Sequence, residues 1–153
     1  MRKFFTILIQ LSVIGIAFGQ GGIIKESLKI DSKILGKEVE YSVYLPHDYD
    51  LSSRSYPVLY LLHGFTDDES GWTQFGEVKT IADAMIDDLE VTDMIIAMPD
   101  GGVSLYINSH DGKVKYEDFF IQEFIPHIES TLRARTTARF RACLLYTSDA
   151  ADD

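Results

Sequence analysis

The sequence predicts an α/β fold in which an antiparallel hairpin leads into a parallel sheet with crossover helices. Two stretches near the start alternate between apolar and polar residues, two later stretches are continuously apolar, and helical periodicity lies between and after them. Alternation with a period of two is typical of half-buried strands, whereas continuous apolar runs belong to strands covered on both faces. A strand, a helix and a strand in this order imply a right-handed crossover and a parallel pair.

The first predicted element is the hairpin. Residues 23–31 and 38–45 alternate, and residues 32–37 between them include Gly36, which suits a turn. In the first strand we expect one face to hold Ile24, Leu28 and Ile30. In the second strand we expect one face to hold Val39, Tyr41, Val43 and Leu45.

The apolar runs at residues 56–62 and 94–98 predict two buried strands, with an amphipathic helix over residues 78–89 between them. A further helix is predicted over residues 116–133, with a kink at Pro126 because proline lacks the N–H that the preceding turn needs. The apolar stripe of this helix comprises Ile121, Phe124, Ile125, Ile128 and Leu132. Another strand should begin within residues 137–142, but the small and acidic residues that end the chain lead us to expect that this strand is not completed.

The N-terminus has the pattern of a secretory signal peptide over residues 1–19. Arg2 and Lys3 precede an apolar stretch at residues 4–18, and small residues stand near Gly19. An uncleaved membrane anchor is the alternative, although a spanning helix needs roughly 20 apolar residues. We therefore expect a secreted or periplasmic protein with no membrane association after cleavage.

Composition excludes some function classes. The net charge is −10 and no basic patch is visible, so nucleic-acid binding is not expected. Cys143 is the only cysteine, so no internal disulfide can form. The four histidines have no metal-ligand spacing, and we expect neither a metal nor a cofactor. The acidic trio Asp67, Asp68 and Glu69 is interpreted as a solvated loop, with cation binding as the alternative.

The segment His63-Gly64-Phe65 at the end of the first apolar run has the composition of an oxyanion-binding loop. Acyl transfer develops negative charge on a carbonyl oxygen, which backbone N–H groups can stabilise, and glycine lets the backbone approach closely. If only the pair His63-Gly64 is considered, the alternative is an ordinary turn after a strand in which the histidine is hydrogen-bonded within the protein. Tyr106 and Asn108 follow the second apolar run, where strand ends meet ligands in open α/β sheets.

Five stretches, in the same order, resemble the esterase family that includes feruloyl and acetyl-xylan esterases, S-formylglutathione hydrolase, enterochelin esterases and mycolyltransferases. The resemblance covers roughly residues 25–142. The stretches are residues 43–46 with Asp48 and Tyr49, residues 56–64, Gly71 with Trp72, residues 95–100, and residues 116–120 running into residues 124–126.

This resemblance implies a serine carboxylic-ester hydrolase of α/β-hydrolase fold, acting on a small-molecule or carbohydrate ester without a cofactor, and the N-terminal pattern predicts that it is exported. The Phe65 N–H would be an oxyanion-hole donor. The expected substrate-binding residues are His63, Gly64, Trp72, Tyr106 and Asn108, with packing as the alternative for Trp72. The family's Gly-x-Ser-x-Gly and the later acid and histidine are not found. Ser104 lacks the second glycine and does not open a helix, so we reject it as a nucleophile.

We therefore divide the chain into a signal peptide (residues 1–19), the N-terminal part of a truncated α/β-hydrolase domain (residues 20–142) and a non-native tail (residues 143–153). The tail resembles translated sequencing adapter, with a genuine divergent C-terminus as the alternative. We expect such a fragment to be inactive. The alternative function is a non-catalytic, exported binding module on the same half-fold, and the sequence indicates no oligomeric state.

Overall fold

The computed structural model describes residues 21–146, so the predicted signal peptide and residues 147–153 of the predicted tail lie outside the described residues. Within this part, one mixed sheet has the strand order β1-β2-β4-β3-β5. The strands are β1 (Ile23–Ser32), β2 (Lys37–Leu45), β3 (Val58–Leu62), β4 (Ile95–Pro99) and β5 (Arg141–Leu145). Strand β2 is antiparallel to both β1 and β4, and β3 is parallel to both β4 and β5. The predicted α/β class and the parallel pair are confirmed.

Along the chain, two helices lie between β3 and β4, and the remaining helical segments lie between β4 and β5. They are α1 (Gly71–Gln74), α2 (Val78–Asp87), α3 (Tyr116–Phe119) and α4 (Ile125–Thr131), with a π-helical segment (Phe120–Phe124) joining α3 to α4 and a 3₁₀ turn (Ala138–Phe140) before β5. Of the helices within residues 21–146, none has the length and apolar character needed to cross a membrane.

The predicted hairpin is confirmed, but the predicted face of β1 is wrong at its first residue. The pairing register shifts between Lys25 and Leu28, and Ser27 has a φ of 54°. An extra residue in one strand reverses the alternation beyond it. Ile24 therefore packs with the cluster around Tyr44, whereas Leu28 and Ile30 pack on the opposite face of the sheet.

Both faces of the central strands are covered, which explains the continuous apolar runs. One face packs against the helical segment from Tyr116 to Ile128, and the other packs against α2. In β2, Val39, Tyr41, Val43 and Leu45 share the first face, as predicted. The buried residues of α2 are Val78, Ala82 and Ile86.

The helix predicted over residues 116–133 is interrupted before Pro126, and one residue of its predicted stripe is wrong. The Ile125 N–H donates to the Phe120 carbonyl five residues back, which widens the turn that precedes the proline. This wider turn breaks the 3.6-residue period, so Ile121 is 56% exposed. The segment instead buries Tyr116, Phe119, Phe124 and Ile128.

The expectation that the chain does not complete a strand after residue 137 is wrong. Residues Arg141–Leu145 pair in parallel with β3, and the Tyr146 N–H continues the ladder by donating to the Leu62 carbonyl. Every residue of β5 is exposed, and within residues 21–146 the strand forms one edge of the sheet. The predicted tail thus contributes Cys143, Leu144 and Leu145 to a strand.

Candidate active site

His63 follows the last residue of β3 and is buried, with both ring nitrogens hydrogen-bonded. Its Nδ1 lies 2.8 Å from the Gly64 carbonyl oxygen, and the Gly101 N–H donates to its Nε2 across 2.8 Å. Because a carbonyl only accepts and a backbone N–H only donates, the ring is assigned as the neutral tautomer with its proton on Nδ1. His63 is therefore a satisfied histidine whose ring is held by the loop after β4.

The hydrogen bond from His63 orients the peptide unit between Gly64 and Phe65. The Gly64 carbonyl accepts from His63 Nδ1 and also from the Asp67 N–H at 3.3 Å. In a trans peptide the N–H points away from the carbonyl of the same unit, so the Phe65 N–H is directed to the opposite side. Within residues 21–146 no group accepts the Phe65 N–H. The predicted oxyanion donor is thus a free N–H group in a fixed peptide plane.

Backbone strain accompanies this turn. The bond from the Asp67 N–H to the Gly64 carbonyl closes a four-residue turn, and its third residue, Thr66, has a φ of 73°. A turn of this kind ordinarily takes glycine or asparagine at that position. A β-branched residue in the left-handed region is unusual, and strain of this kind clusters at functional sites.

Replacing Thr66 by asparagine is expected to raise the free energy of unfolding by about 1 kcal/mol, because asparagine tolerates the left-handed conformation better. Urea-induced unfolding of the two chains measures the change. The matched control is Thr80→Asn, an exposed position on α2 where the same substitution should change stability by less than about 0.5 kcal/mol. Equal effects at the two positions would show that Thr66 is not strained.

A cavity of about 200 Å³ lies beside the Gly64 backbone. It is lined by His63, Gly64, Asp67, Gly71, Trp72, Phe75, Gly76 and Tyr146. The Trp72 ring stands edge-on to Tyr146 with their centroids 5.6 Å apart. The buried Nε1 of Trp72 has no hydrogen-bond partner in the described part of the chain. The structure therefore brings His63, Gly64 and Trp72 together around one cavity, and their role in substrate binding stays a prediction.

Tyr106 and Asn108 lie after β4, as predicted, but both make hydrogen bonds within the protein. The Tyr106 hydroxyl accepts the His63 N–H at 2.9 Å. The Asn108 amide donates to Asp118 Oδ1 at 3.0 Å and accepts the Asp118 N–H at 3.2 Å, which ties the loop to α3. Their position after β4 correctly placed both residues at the carboxyl ends of the parallel strands, but it carried no information about their hydrogen-bond partners.

The acidic residues near the site differ in their environments. Asp100 Oδ1 accepts the Gly102 N–H at 2.7 Å and lies 3.6 Å from His63 Nε2, so this carboxylate supports the loop after β4. Asp68 is exposed, whereas Glu69 is buried, and burial raises the pKa of its carboxyl group. The interpretation of residues 67–69 as a solvated loop is therefore wrong for Glu69.

Away from this site, His47, Asp48 and Asp93 place ligand-type atoms within 4.8 Å of one another. The separation of these residues in the sequence did not indicate that grouping. Arg54 Nη2 lies 2.7 Å from Asp48 Oδ2 and 2.5 Å from Asp93 Oδ2. One guanidinium group thus pairs with both carboxylates, and we interpret these residues as an ion-pair network.

Residues 32–144 match the family model described as Putative esterase. The chain belongs to this esterase family. Among curated relatives, Esterase Rv1288 of Mycobacterium tuberculosis is 34% identical over 110 residues, which is 69% of this chain and 23% of the relative. The endo-1,4-beta-xylanase/feruloyl esterase of Xylanibacter ruminicola is 31% identical over 118 residues, which is 72% of this chain and 16% of the relative. The chain thus spans less than a quarter of the length of these relatives.

Solved structures agree with this esterase membership. A ferulic acid esterase aligns with a TM-score of 0.76 and 31% identity, over 82% of this chain and 49% of its own. The ferulic acid esterase of Anaeromyces mucronatus in complex with ferulic acid aligns with a TM-score of 0.69 and 21% identity, over 84% of this chain and 50% of its own. The described residues thus have the α/β-hydrolase fold, and the chain spans about half the length of these esterases.

Proposed function

We propose that this chain is the N-terminal part of an exported serine carboxylic-ester hydrolase whose substrate is an acyl ester, such as a feruloyl or acetyl ester of a carbohydrate. The observation that carries the proposal is the Phe65 N–H, which has no acceptor within residues 21–146 and lies in a peptide plane fixed by His63 and Asp67. Such a donor stabilises the oxyanion of an acyl-transfer transition state. The cavity beside Trp72 would receive part of the substrate next to this donor.

In the proposed reaction, a serine attacks the ester carbonyl, a histidine accepts the serine proton, and an acid orients that histidine. We infer that these three residues are encoded beyond residue 142. Export rests on the pattern of residues 1–19, which predicts a secreted or periplasmic location. Because the similar esterase of Anaeromyces mucronatus forms a complex with ferulic acid, aromatic acyl esters are the first substrates to assay.

Sequencing the source DNA past codon 142 tests the proposal. A Gly-x-Ser-x-Gly motif is expected within about twenty codons, at the strand-to-helix turn that presents the nucleophile. The longer protein should then hydrolyse feruloyl or acetyl esters, and replacement of that serine by alanine should abolish the activity. A genuine stop codon at the end of the present chain would instead favour a non-catalytic binding module.

The 153-residue chain itself is expected not to hydrolyse p-nitrophenyl acetate above the rate of its Ser104→Ala variant. The Ser104 hydroxyl donates to the Gly101 carbonyl at 2.7 Å, an arrangement that contains no general base. Release of p-nitrophenol is followed by absorbance for the two chains at equal concentration. Turnover that depends on Ser104 would contradict the proposal that the nucleophile lies outside this chain.

A further inference from the structure

At the end of β3, the main-chain N–H of His63 is not satisfied by a neighbouring strand. Pairing of β3 with β4 ends at Tyr60, and pairing with β5 ends at Leu62. The next N–H, that of His63, instead donates to the Tyr106 hydroxyl at 2.9 Å. A side chain from the loop after β4 thus replaces a strand at the position where the predicted oxyanion loop begins.

The same short loop holds the side chain of His63. Gly101 donates its N–H to His63 Nε2, and the Tyr106 ring stands edge-on to the imidazole with their centroids 5.5 Å apart. Residues 101–106 therefore contact His63 at its main chain, at one ring nitrogen and through the ring of Tyr106. Only Nδ1 is left to donate, and it donates to the Gly64 carbonyl.

Holding Tyr106 in this place requires an unfavourable backbone. Leu105 and Tyr106 have φ values of 53° and 60°, so two successive residues with side chains lie in the left-handed region. This region is unfavourable for any residue with a side chain, and such strain persists only where surrounding contacts over-determine it. Ser104 supports the turn, because its Oγ donates to the Gly101 carbonyl and accepts the Tyr106 N–H.

Gly101 provides the space that the Tyr106 ring occupies. A Cβ atom at position 101 would lie 2.5 Å from the ring, closer than any side chain permits. On its other side, Tyr106 stands edge-on to Tyr116 of α3 at a centroid distance of 5.3 Å. The Tyr106 ring thus packs between His63 and the buried Tyr116.

We propose that Tyr106 is a positioning residue for the oxyanion donor. Its hydroxyl and ring hold His63, His63 Nδ1 holds the Gly64 carbonyl, and that carbonyl sets the direction of the Phe65 N–H. The role of the Phe65 N–H as an oxyanion donor rests on the proposed function, whereas the coupling of Tyr106 to His63 does not. Tyr106 would then act through the main chain rather than by touching the substrate.

The test uses the ¹⁵N-labelled 153-residue chain and its Tyr106→Phe variant, and no substrate is needed. Loss of one hydrogen bond should speed hydrogen exchange of the His63 N–H about tenfold relative to the original chain. The ¹⁵N signals of the His63 ring should also move from the form protonated at Nδ1 towards a mixture of tautomers. Unchanged exchange at His63 together with an unchanged ring tautomer would overturn the proposal.

Tyr49→Phe is the matched control, because the Tyr49 hydroxyl also accepts a main-chain N–H, that of Arg133 at 3.0 Å. This variant should speed exchange at Arg133 and leave the His63 tautomer unchanged, so a general loss of stability is distinguished from loss of positioning. If Tyr106→Phe does not fold, Ser104→Ala loosens the turn while keeping Tyr106 and should change the His63 signals in the same direction. Absence of that change would also overturn the proposal. Failure of the esterase assay would leave these measurements unaffected.

Discussion

Replacement of Phe124 by alanine is expected to lower the free energy of unfolding by about 3–5 kcal/mol. Phe124 is fully buried, and its ring packs against Tyr41, Tyr60 and Phe120. Removing the ring takes away its apolar burial and leaves a cavity at the centre of the face covered by the helices. Urea-induced unfolding followed by circular dichroism measures the change. If the alanine variant does not fold, Phe124→Leu should show a smaller loss, of about 1–2 kcal/mol.

Ile121→Ala is the matched control, three residues earlier in the same helical segment. Periodicity places both residues in one apolar stripe, but the structure exposes Ile121 because of the π-helical turn. Its replacement should change stability by less than about 0.5 kcal/mol. Similar losses for the two variants would mean that the segment is a regular helix and that the stripe predicted from the sequence is correct.

Replacement of His63 by alanine is expected to lower the free energy of unfolding by about 3 kcal/mol. The change leaves the Gly101 N–H without its acceptor in a buried position, and an unsatisfied buried donor costs about 1–3 kcal/mol. It also removes a donor to the Gly64 carbonyl and the buried volume of the ring. Denaturant unfolding of the variant and the original chain gives the difference.

The control for this second prediction is His110→Ala. His110 is exposed, and its replacement should change stability by less than about 0.5 kcal/mol. A loss below about 1 kcal/mol at His63 would contradict the account of His63 as a buried, doubly hydrogen-bonded residue. A selective loss at His63 would support the assignment of its ring as the group that holds the Gly64–Phe65 peptide.

Much of the fold could be predicted because its signals are local. The alternation of β2 and the apolar runs of β3 and β4 each reflect how one segment meets the core, so they are visible within a few residues. The errors occur where an irregularity changes the period. The bulge at Ser27 reversed the face of Ile24, and the π-helical turn before Pro126 exposed Ile121. Neither irregularity has a reliable signature in the residues around it.

The strand β5 shows another limit of local patterns. Its residues are exposed, so the sequence lacks the burial pattern by which β3 and β4 were recognised. The strand is held by its pairing with β3, from Val58 opposite Arg141 to Leu62 opposite Leu145. Main-chain hydrogen bonds can extend a sheet without much help from the side chains, and such pairing depends on the neighbouring strand.

By itself, the sequence determined the order of the first four strands, the parallel pair at the centre of the sheet and the strand end at which His63, Gly64 and Phe65 lie. Only the tertiary structure decided which groups act on that strand end. The partners of His63 are Gly101 and Tyr106, which stand 38 and 43 residues away along the chain. Periodicity reports the average environment of a segment, whereas a hydrogen bond depends on the exact position of two atoms. That position exists only once β3 and β4 have paired and the loop after β4 has closed over their ends.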